Sequence, residues 1–227
     1  MQIQALLDWL SRHGVRPPAF RIEPDQRAGR VVRAAADLRE GDEVLAIPDP
    51  AIVTLESAKR SWIGRQMRAA DMDLPSGHSY LASHLLMERR RPGSSLAPYL
   101  DVLPTTFPTV PLFFHKELLP VLKGSFAAHL MVRRRESIIQ DFAILREKIP
   151  AFREVHLREY VWARTIVVTR VFGVKMRGAS TEVLVPLGDM LNHKRPPDVD
   201  WTYDDDRCAF VMKAARDIRE GEEMCDS

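Results

Sequence analysis

The sequence predicts an α+β protein in which a long helical insertion separates two strand-rich regions. Three observations predict it. Near both ends the chain carries short strand-like runs, as in Glu43-Val-Leu-Ala-Ile-Pro48 and Cys208-Ala-Phe-Val-Met-Lys213. Between them the apolar period becomes helical: Leu81, Leu85 and Leu86, then Ile138, Ile139, Phe142 and Leu145, recur at three- and four-residue steps. The two outer regions also echo each other. Ala34-Ala-Ala-Asp-Leu-Arg-Glu-Gly-Asp-Glu-Val44 returns as Ala214-Ala-Arg-Asp-Ile-Arg-Glu-Gly-Glu-Glu-Met224. Stacking repeats recur every ~20–50 residues, so two copies this far apart read as similar turns of one β fold pulled apart by the helical block. Two common turn sequences that match by coincidence remain the alternative.

Taken in order, residues 3–13 place Ile3, Leu6, Leu7 and Leu10 on one helical face, with His13-Gly14 as a stop and Pro17-Pro18 beyond it. Asp8 interrupts the apolar run, so this is an amphipathic helix and not a signal peptide. Gly29-Arg-Val-Val-Arg-Ala-Ala35, the turn at 37–42 and the strand at 43–48 suggest a small antiparallel unit. Helices are predicted over 57–68, 79–91, 116–122, 126–148 and 157–172. Pro98, Pro104, Pro108 and Pro111 mark a connector, because proline breaks helix interiors. Strands return at 182–185 and 208–213.

The totals exclude several classes. Net charge is +2, from 33 basic and 31 acidic residues, which gives no electrostatic footprint for nucleic acid. Local clusters at Arg89–Arg91 and Arg133–Arg135 read as solvated helix faces, or as anion or partner sites. Two distant cysteines, Cys208 and Cys225, argue against structural zinc or a disulfide framework and fit a reducing compartment. None of the seven histidines has metal-site spacing, so no metal is expected. No run approaches the ~18 apolar residues of a membrane span. With no targeting signal, the expectation is a cytoplasmic or nuclear protein.

The most informative stretch is Val183-Leu-Val-Pro-Leu-Gly-Asp-Met-Leu-Asn-His193. Pro186 inside the apolar run favours an edge strand or a strand end. The chain then turns through Gly188 and Asp189 and delivers Asn192 and His193, an amide and an imidazole, to a pocket edge. The plain alternative is a loop whose Asn and His satisfy local backbone.

Joint order and spacing of several motifs carry a resemblance. They are Arg33-Ala-Ala-Ala-Asp-Leu-Arg-Glu-Gly-Asp42, Val53-Thr-Leu-Glu-Ser-Ala-Lys59 and Leu81-Ala-Ser-His-Leu-Leu-Met-Glu-Arg89. Pro98-Tyr-Leu-Asp-Val-Leu-Pro104, Thr169-Arg170, Pro186-Leu-Gly-Asp-Met-Leu-Asn-His193 and Gly221-Glu-Glu223 complete the set. Together, from about residue 21 to the end, they resemble the SET-domain methyltransferases. The branch is that of the Rubisco large-subunit lysine methyltransferase and the actin-histidine methyltransferase.

That resemblance implies small curved β-sheets with a large helical insertion, and a C-terminal segment threaded beneath a loop. The implied division is an N-terminal helix (1–17), the first part of the SET domain (18–60), the helical insertion (61–165) and the second part (166–227). It implies S-adenosylmethionine (AdoMet) as methyl donor and a protein side chain as acceptor, with no nucleic acid or membrane involved. The cofactor would meet backbone at Ala28, Gly29 and Arg30, the side chain of Arg170, and the segment Asp189, Met190, Leu191, Asn192 and His193. Glycine permits close backbone approach, and arginine can hold a carboxylate with two bonds. Gly29 as a mere turn residue and Arg170 as a structural helix end are the alternatives.

Two departures accompany the resemblance. Val31 stands where the family has the second glycine of Gly-x-Gly. The family's catalytic tyrosine would be the residue after Ser227, and none of Tyr80, Tyr99, Tyr160 or Tyr203 takes its place. The family's helical substrate-binding C-terminal domain would also lie beyond this chain, so the expectation is a fragment. A silent SET module that binds a protein partner is the competing reading. For the acceptor, Phe172 lies two residues after Arg170. Lysine-directed relatives carry phenylalanine there, and the histidine-directed one carries asparagine. An aromatic wall suits an aliphatic lysine stem, whereas an amide would bond an imidazole. Lysine is therefore the expected acceptor, with Phe172 as a core residue at a helix end as the alternative.

Overall fold

A computed structural model describes residues 2–26, 29–72, 76–113, 117 and 119–227. In chain order the elements are α1 (Gln2–Arg12), β1 (Phe20–Asp25), β2 (Gly29–Ala34), β3 (Glu43–Pro48) and β4 (Val53–Thr54). The helical block holds α2 (Leu55–Arg60), α3 (Trp62–Ala69), α4 (His78–Arg90), α5 (Ala97–Leu100), α6 (Phe126–Lys148) and α7 (Leu157–Arg170). Then follow β5 (Val171–Met176), β6 (Ala179–Leu184), β7 (Asn192–His193), β8 (Val199–Asp204), β9 (Ala209–Ala214) and β10 (Cys225–Asp226). The chain divides into two compact units. One is formed by the residues up to Thr54 together with Arg170–Ser227, the other by Leu55–Thr169.

Among the described residues the first unit contains four small sheets: β1–β2, β3–β9–β8, β4–β6–β5 and the parallel pair β7–β10. The expected antiparallel unit of β2 with β3 is not what forms. β2 pairs with β1, and β3 pairs with β9 from the far end of the chain. The reason lies in the two echoing turns, which bond to each other in place of closing local hairpins. Leu38 N–H donates to Ile218 O at 2.8 Å, and Ile218 N–H donates back to Leu38 O at 2.8 Å. Asp37 Oδ1 accepts from Glu220 N at 2.8 Å, and Asp217 Oδ1 accepts from Glu40 N at 2.9 Å. Gly41 N donates to Ala214 O and Gly221 N to Ala34 O. Within each turn Asp42 or Glu222 accepts from the amide of Arg39 or Arg219, both at 2.8 Å. Equivalent residues make equivalent bonds, so the sequence echo is a local two-fold arrangement. Both turn glycines have positive φ, +88° at Gly41 and +79° at Gly221, where other residues would be strained.

The helical unit packs around Leu81, Leu85, Ile138, Leu145, Phe152, Tyr160 and Ile166. A polar network lies within that apolar core. Ser79 Oγ donates to Asp141 Oδ2 at 2.5 Å, and Arg164 Nη1 donates to Ser79 Oγ at 2.7 Å. Burial raises the Tyr160 hydroxyl above its usual range. The predicted helix over 57–68 is two helices. Ser61 Oγ caps the second by accepting from Gly64 N at 3.1 Å, while donating to Ala58 O at 2.6 Å. A Cβ at Gly64 would strike the Ala58 carbonyl, so glycine permits this tight corner. Of the predicted helix over 116–122, Lys116 and Leu118 lie outside the described residues, and Leu119–Leu122 forms a 3₁₀ turn. The run Arg89–Arg91 resolves into internal contacts. Arg89 stacks over the Trp162 ring at 4.0 Å, Arg90 meets Glu159 at 2.7 Å, and Arg91 meets Glu88 at 2.8 Å. Among the described residues no helix is long and apolar enough to cross a membrane.

Candidate functional site

The first unit places the stretch 183–193 as the sequence suggested, at a strand end. β6 stops at Leu184, two residues before Pro186, yet it is the middle strand of its sheet. Leu187 then adopts φ +77° while fully buried, and its packing holds a conformation that a leucine would not choose. Gly188–Met190 makes one 3₁₀ turn, with Asp189 N donating to Val185 O at 3.0 Å. Gly188 is needed for space: a Cβ there would sit 3.0 Å from Val185 Cγ1 and 3.4 Å from Met212 Sδ. The result is a buried Asp189 facing back towards the start of β5.

There it meets Arg170, the last residue of α7. Arg170 Nη1 donates to the Asp189 carbonyl at 2.6 Å and lies 3.3 Å from its Oδ2. Arg170 Nε is buried and has no partner among the described residues. Arg30, on β2, reaches the same turn, with Nη1 3.5 Å from Met190 Sδ. Burial lowers the Arg30 pKa from its ordinary value. The neighbouring Arg170 lowers it further, and Asp189 opposes both. Two guanidinium groups thus lie beside one buried carboxylate in a sheltered place. Guanidinium groups are what a ligand carboxylate requires.

Asn192 ties the site together. Its Nδ2 donates to Arg30 O at 3.2 Å and to Glu223 Oε1 at 3.0 Å, so its donor holds β2, β7 and the C-terminal segment in register. Its carboxamide oxygen can in turn accept a hydrogen bond. The C-terminal segment is held from both sides. Met224 N donates to Val32 O on one flank, and Lys194 N donates to Asp226 O on the other, both at 2.8 Å. Asp198, only 1% exposed, anchors the loop after β7. It accepts from Lys194 Nζ at 2.6 Å, Arg216 Nε at 2.8 Å and Cys225 N at 3.1 Å. His193 projects outward, with Nδ1 2.8 Å from Asp226 Oδ1.

Gly29, Arg30, Arg170 and the segment Asp189–His193 therefore all belong to the first unit, linked through Arg30, Asn192 and the 188–190 turn. Gly29 has φ +75° and open space where a Cβ would be. Ala28 lies outside the described residues. Phe172 is not at a helix end: α7 stops at Arg170, and Phe172 is the second residue of β5, opposite Val183. The β-branched run before it extended the helical reading too far, and strand pairing overrides that period. Its ring is buried against Trp201 at 5.2 Å and Phe210 at 4.9 Å. Sequence reasoning missed Glu223 as a partner of Asn192, and it missed Asp198 and Asp226 altogether. Only the Gly221-Glu-Glu223 motif hinted at the first of these.

The SET-domain profile matches residues 29–227. Actin-histidine N-methyltransferases of Homo sapiens and Mus musculus are each 29% identical over 231 residues, covering 96% of this chain and 38% of theirs. The chain thus spans well under half the length of these relatives. Among solved structures, the SET domain of LSMT bound to lysine and AdoHcy superposes with a TM-score of 0.84 at 20% identity, over 100% of this chain and 53% of that one. Rubisco LSMT bound to AdoMet gives 0.83 at 22% identity, over 100% and 52%. These likenesses establish the fold.

Proposed function

The chain belongs to the SET-domain family, and from that premise we propose that it serves AdoMet-dependent methylation of a protein lysine. The observation that carries the cofactor part is the pair Arg30 and Arg170 around Asp189, with Arg170 Nε left unbonded in a buried position. AdoMet, when bound, supplies an electrophilic methyl group on a sulfonium. The residues present fit it. Arg170 and Arg30 would take its carboxylate, and Asn192 Oδ1 with the backbone of 189–193 would meet its remaining polar edge. Gly29 leaves room for close approach. Carbonyl dipoles near Leu191 would align with positive charge at the methyl.

The acceptor must lose its ammonium proton before it attacks. Phe172, backed by Trp201 and Phe210, would present an apolar wall to a lysine stem and disfavour its charged form. Arrangement in line, not acid–base machinery, would then carry most of the rate. A histidine acceptor is the second reading, because curated relatives at 29% identity are actin-histidine methyltransferases. Phe172 favours lysine over it, since no amide stands there to bond an imidazole. The experiment is methyl transfer to matched lysine and histidine peptides by a protein extended past Ser227 to include the family's tyrosine, with and without Phe172→Asn, read by mass spectrometry. Lysine should be preferred by wild type, and the variant should shift towards histidine. An unchanged preference in the variant removes Phe172 from the argument, and a wild-type preference for histidine replaces the lysine reading.

A further inference from the structure

Two arginine runs stand out in the sequence, and the fold treats them differently. Arg89–Arg91 is taken up by Trp162, Glu159 and Glu88. Arg133, Arg134 and Arg135 lie exposed on α6, and their side chains make no hydrogen bond or ion pair among the described residues. α6 begins at Ser125, whose Oγ accepts from Ala128 N at 3.2 Å and donates to Leu122 O at 2.6 Å. Its buried residues, Ile138, Asp141, Phe142 and Leu145, all belong to its second half. The first half buries none of its residues, yet it is not polar. Phe126 is 75% exposed and Leu130 45%. Four residues apart, they share one face of the helix, and Arg133 and Arg134 follow on the next turn of that face. No Asp or Glu stands between Glu117 and Glu136, whereas Lys123 and the three arginines place four positive charges there. The whole chain carries only +2, so the rest of it is slightly acidic and the positive charge is concentrated here. A solvated helix face accounts for arginines, but not for an almost bare phenylalanine beside them. Large apolar side chains grouped in water and rimmed by charge mark an interaction surface.

We propose that the first half of α6 docks an acidic segment of a partner protein. That segment presents apolar side chains to Phe126 and Leu130 and carboxylates to Lys123, Arg133 and Arg134. Removing the two apolar side chains from water supplies affinity, while opposite charge speeds encounter and sets register. A second copy of α6 does not meet this description, because it would bring arginines against arginines. A bilayer fits less well than a protein. Val132 and Ile139, 48% and 43% exposed, point to a different side of the helix, and the Phe126 face turns to arginine after one turn. α6 thus lacks the long apolar stripe that a helix lying in a lipid surface buries. A protein segment needs only the local patch. The surface lies within the helical unit, and docking there does not depend on the cofactor reading.

Fluorescence anisotropy of a labelled synthetic peptide, titrated with the full chain, tests this. The probe is about 20 residues long, so that it is helical by itself, with leucine along one face and glutamate elsewhere. Two matched peptides replace every leucine by serine or every glutamate by lysine, and phosphatidylglycerol vesicles form a separate arm. The Leu/Glu peptide should bind, and binding should weaken about ten-fold between about 0.05 M and about 0.5 M salt. The serine and lysine peptides should bind at least about ten-fold more weakly. Arg133→Glu/Arg134→Glu and Phe126→Ser/Leu130→Ser should each weaken the Leu/Glu peptide by at least about ten-fold. All four positions are unburied, so circular dichroism should show both variants folded. No binding of the Leu/Glu peptide, binding that either folded variant keeps in full, or equal binding of the leucine and serine peptides overturns the docking surface. So does capture by the vesicles in place of the peptide, which would make the helix a lipid-binding one.

Discussion

Replacing Asp198 by alanine should show how much the loop after β7 depends on one carboxylate. Asp198 is 1% exposed and accepts from Lys194 Nζ at 2.6 Å, Arg216 Nε at 2.8 Å and the Cys225 amide at 3.1 Å. Alanine strands the Cys225 amide in a buried position, which alone costs ~1–3 kcal/mol. Breaking a fully buried charge pair costs ~3–5 kcal/mol. Lys194 and Arg216 are 46% and 40% exposed, however, so water takes over much of their solvation and the ionic part is to be discounted. The sum should be about 2–4 kcal/mol at neutral pH.

The dependence on pH adds a second constraint. Burial would raise the Asp198 carboxyl, but its bonds from Lys194, Arg216 and the Cys225 amide outweigh that and lower it. A depressed folded-state pKa gives stability that is present above the unfolded value of ~3.9 and is lost as pH falls through the folded value. Urea denaturation of wild type and Asp198→Ala at neutral pH should therefore show the full gap. The gap should shrink as pH drops below about 4. A neutral-pH difference below ~0.5 kcal/mol, or one that does not shrink in acid, would refute the reasoning.

Further predictions concern the turns and the site. Asp37→Ala and Asp217→Ala remove equivalent bonds, to Glu220 N and Glu40 N, so each should cost a similar ~0.5–2 kcal/mol in chemical denaturation. One neutral variant beside one severe variant would contradict the two-fold arrangement. Gly188→Ala should cost ~1–3 kcal/mol, because its Cβ would crowd Val185 Cγ1 at 3.0 Å. Met212 can move and hold the cost to the lower end, which calorimetry would read, and an unchanged midpoint would mean the turn shifts freely.

Much of this was legible because it is local. The strand at 43–48, the helix at 126–148 and the turn that carries Asp189 all follow from period, caps and breakers within a few residues. The echo of Asp37–Asp42 in residues 217–222 was visible too, though which strands it would join was not. β3 takes β9 as partner because the second copy of the turn brings β9 beside it, a pairing that no short-range signal encodes. β1 escaped notice because Pro24 and alternating charges blur its pattern. β5 was absorbed into the preceding helix because Val167, Val168 and Val171 fit either period. Asp198 and Asp226 look like ordinary acidic residues in the sequence. Their burial, and hence their chemistry, arises only when the C-terminal segment is packed between Val32 and the loop after β7.

If Arg30, Arg170 and the 189–193 segment form an AdoMet site as proposed, a thermal-shift titration will register it. Wild type and Arg170→Ala would be melted with increasing AdoMet. At ~100 times the dissociation constant, binding adds ~2.7 kcal/mol. For a chain of 227 residues that amounts to about 5–10 °C in the midpoint. Wild type should show that shift, and a folded Arg170→Ala variant should lose it. A cooperative wild-type melt that AdoMet leaves in place, or a shift that Arg170→Ala keeps in full, would contradict it.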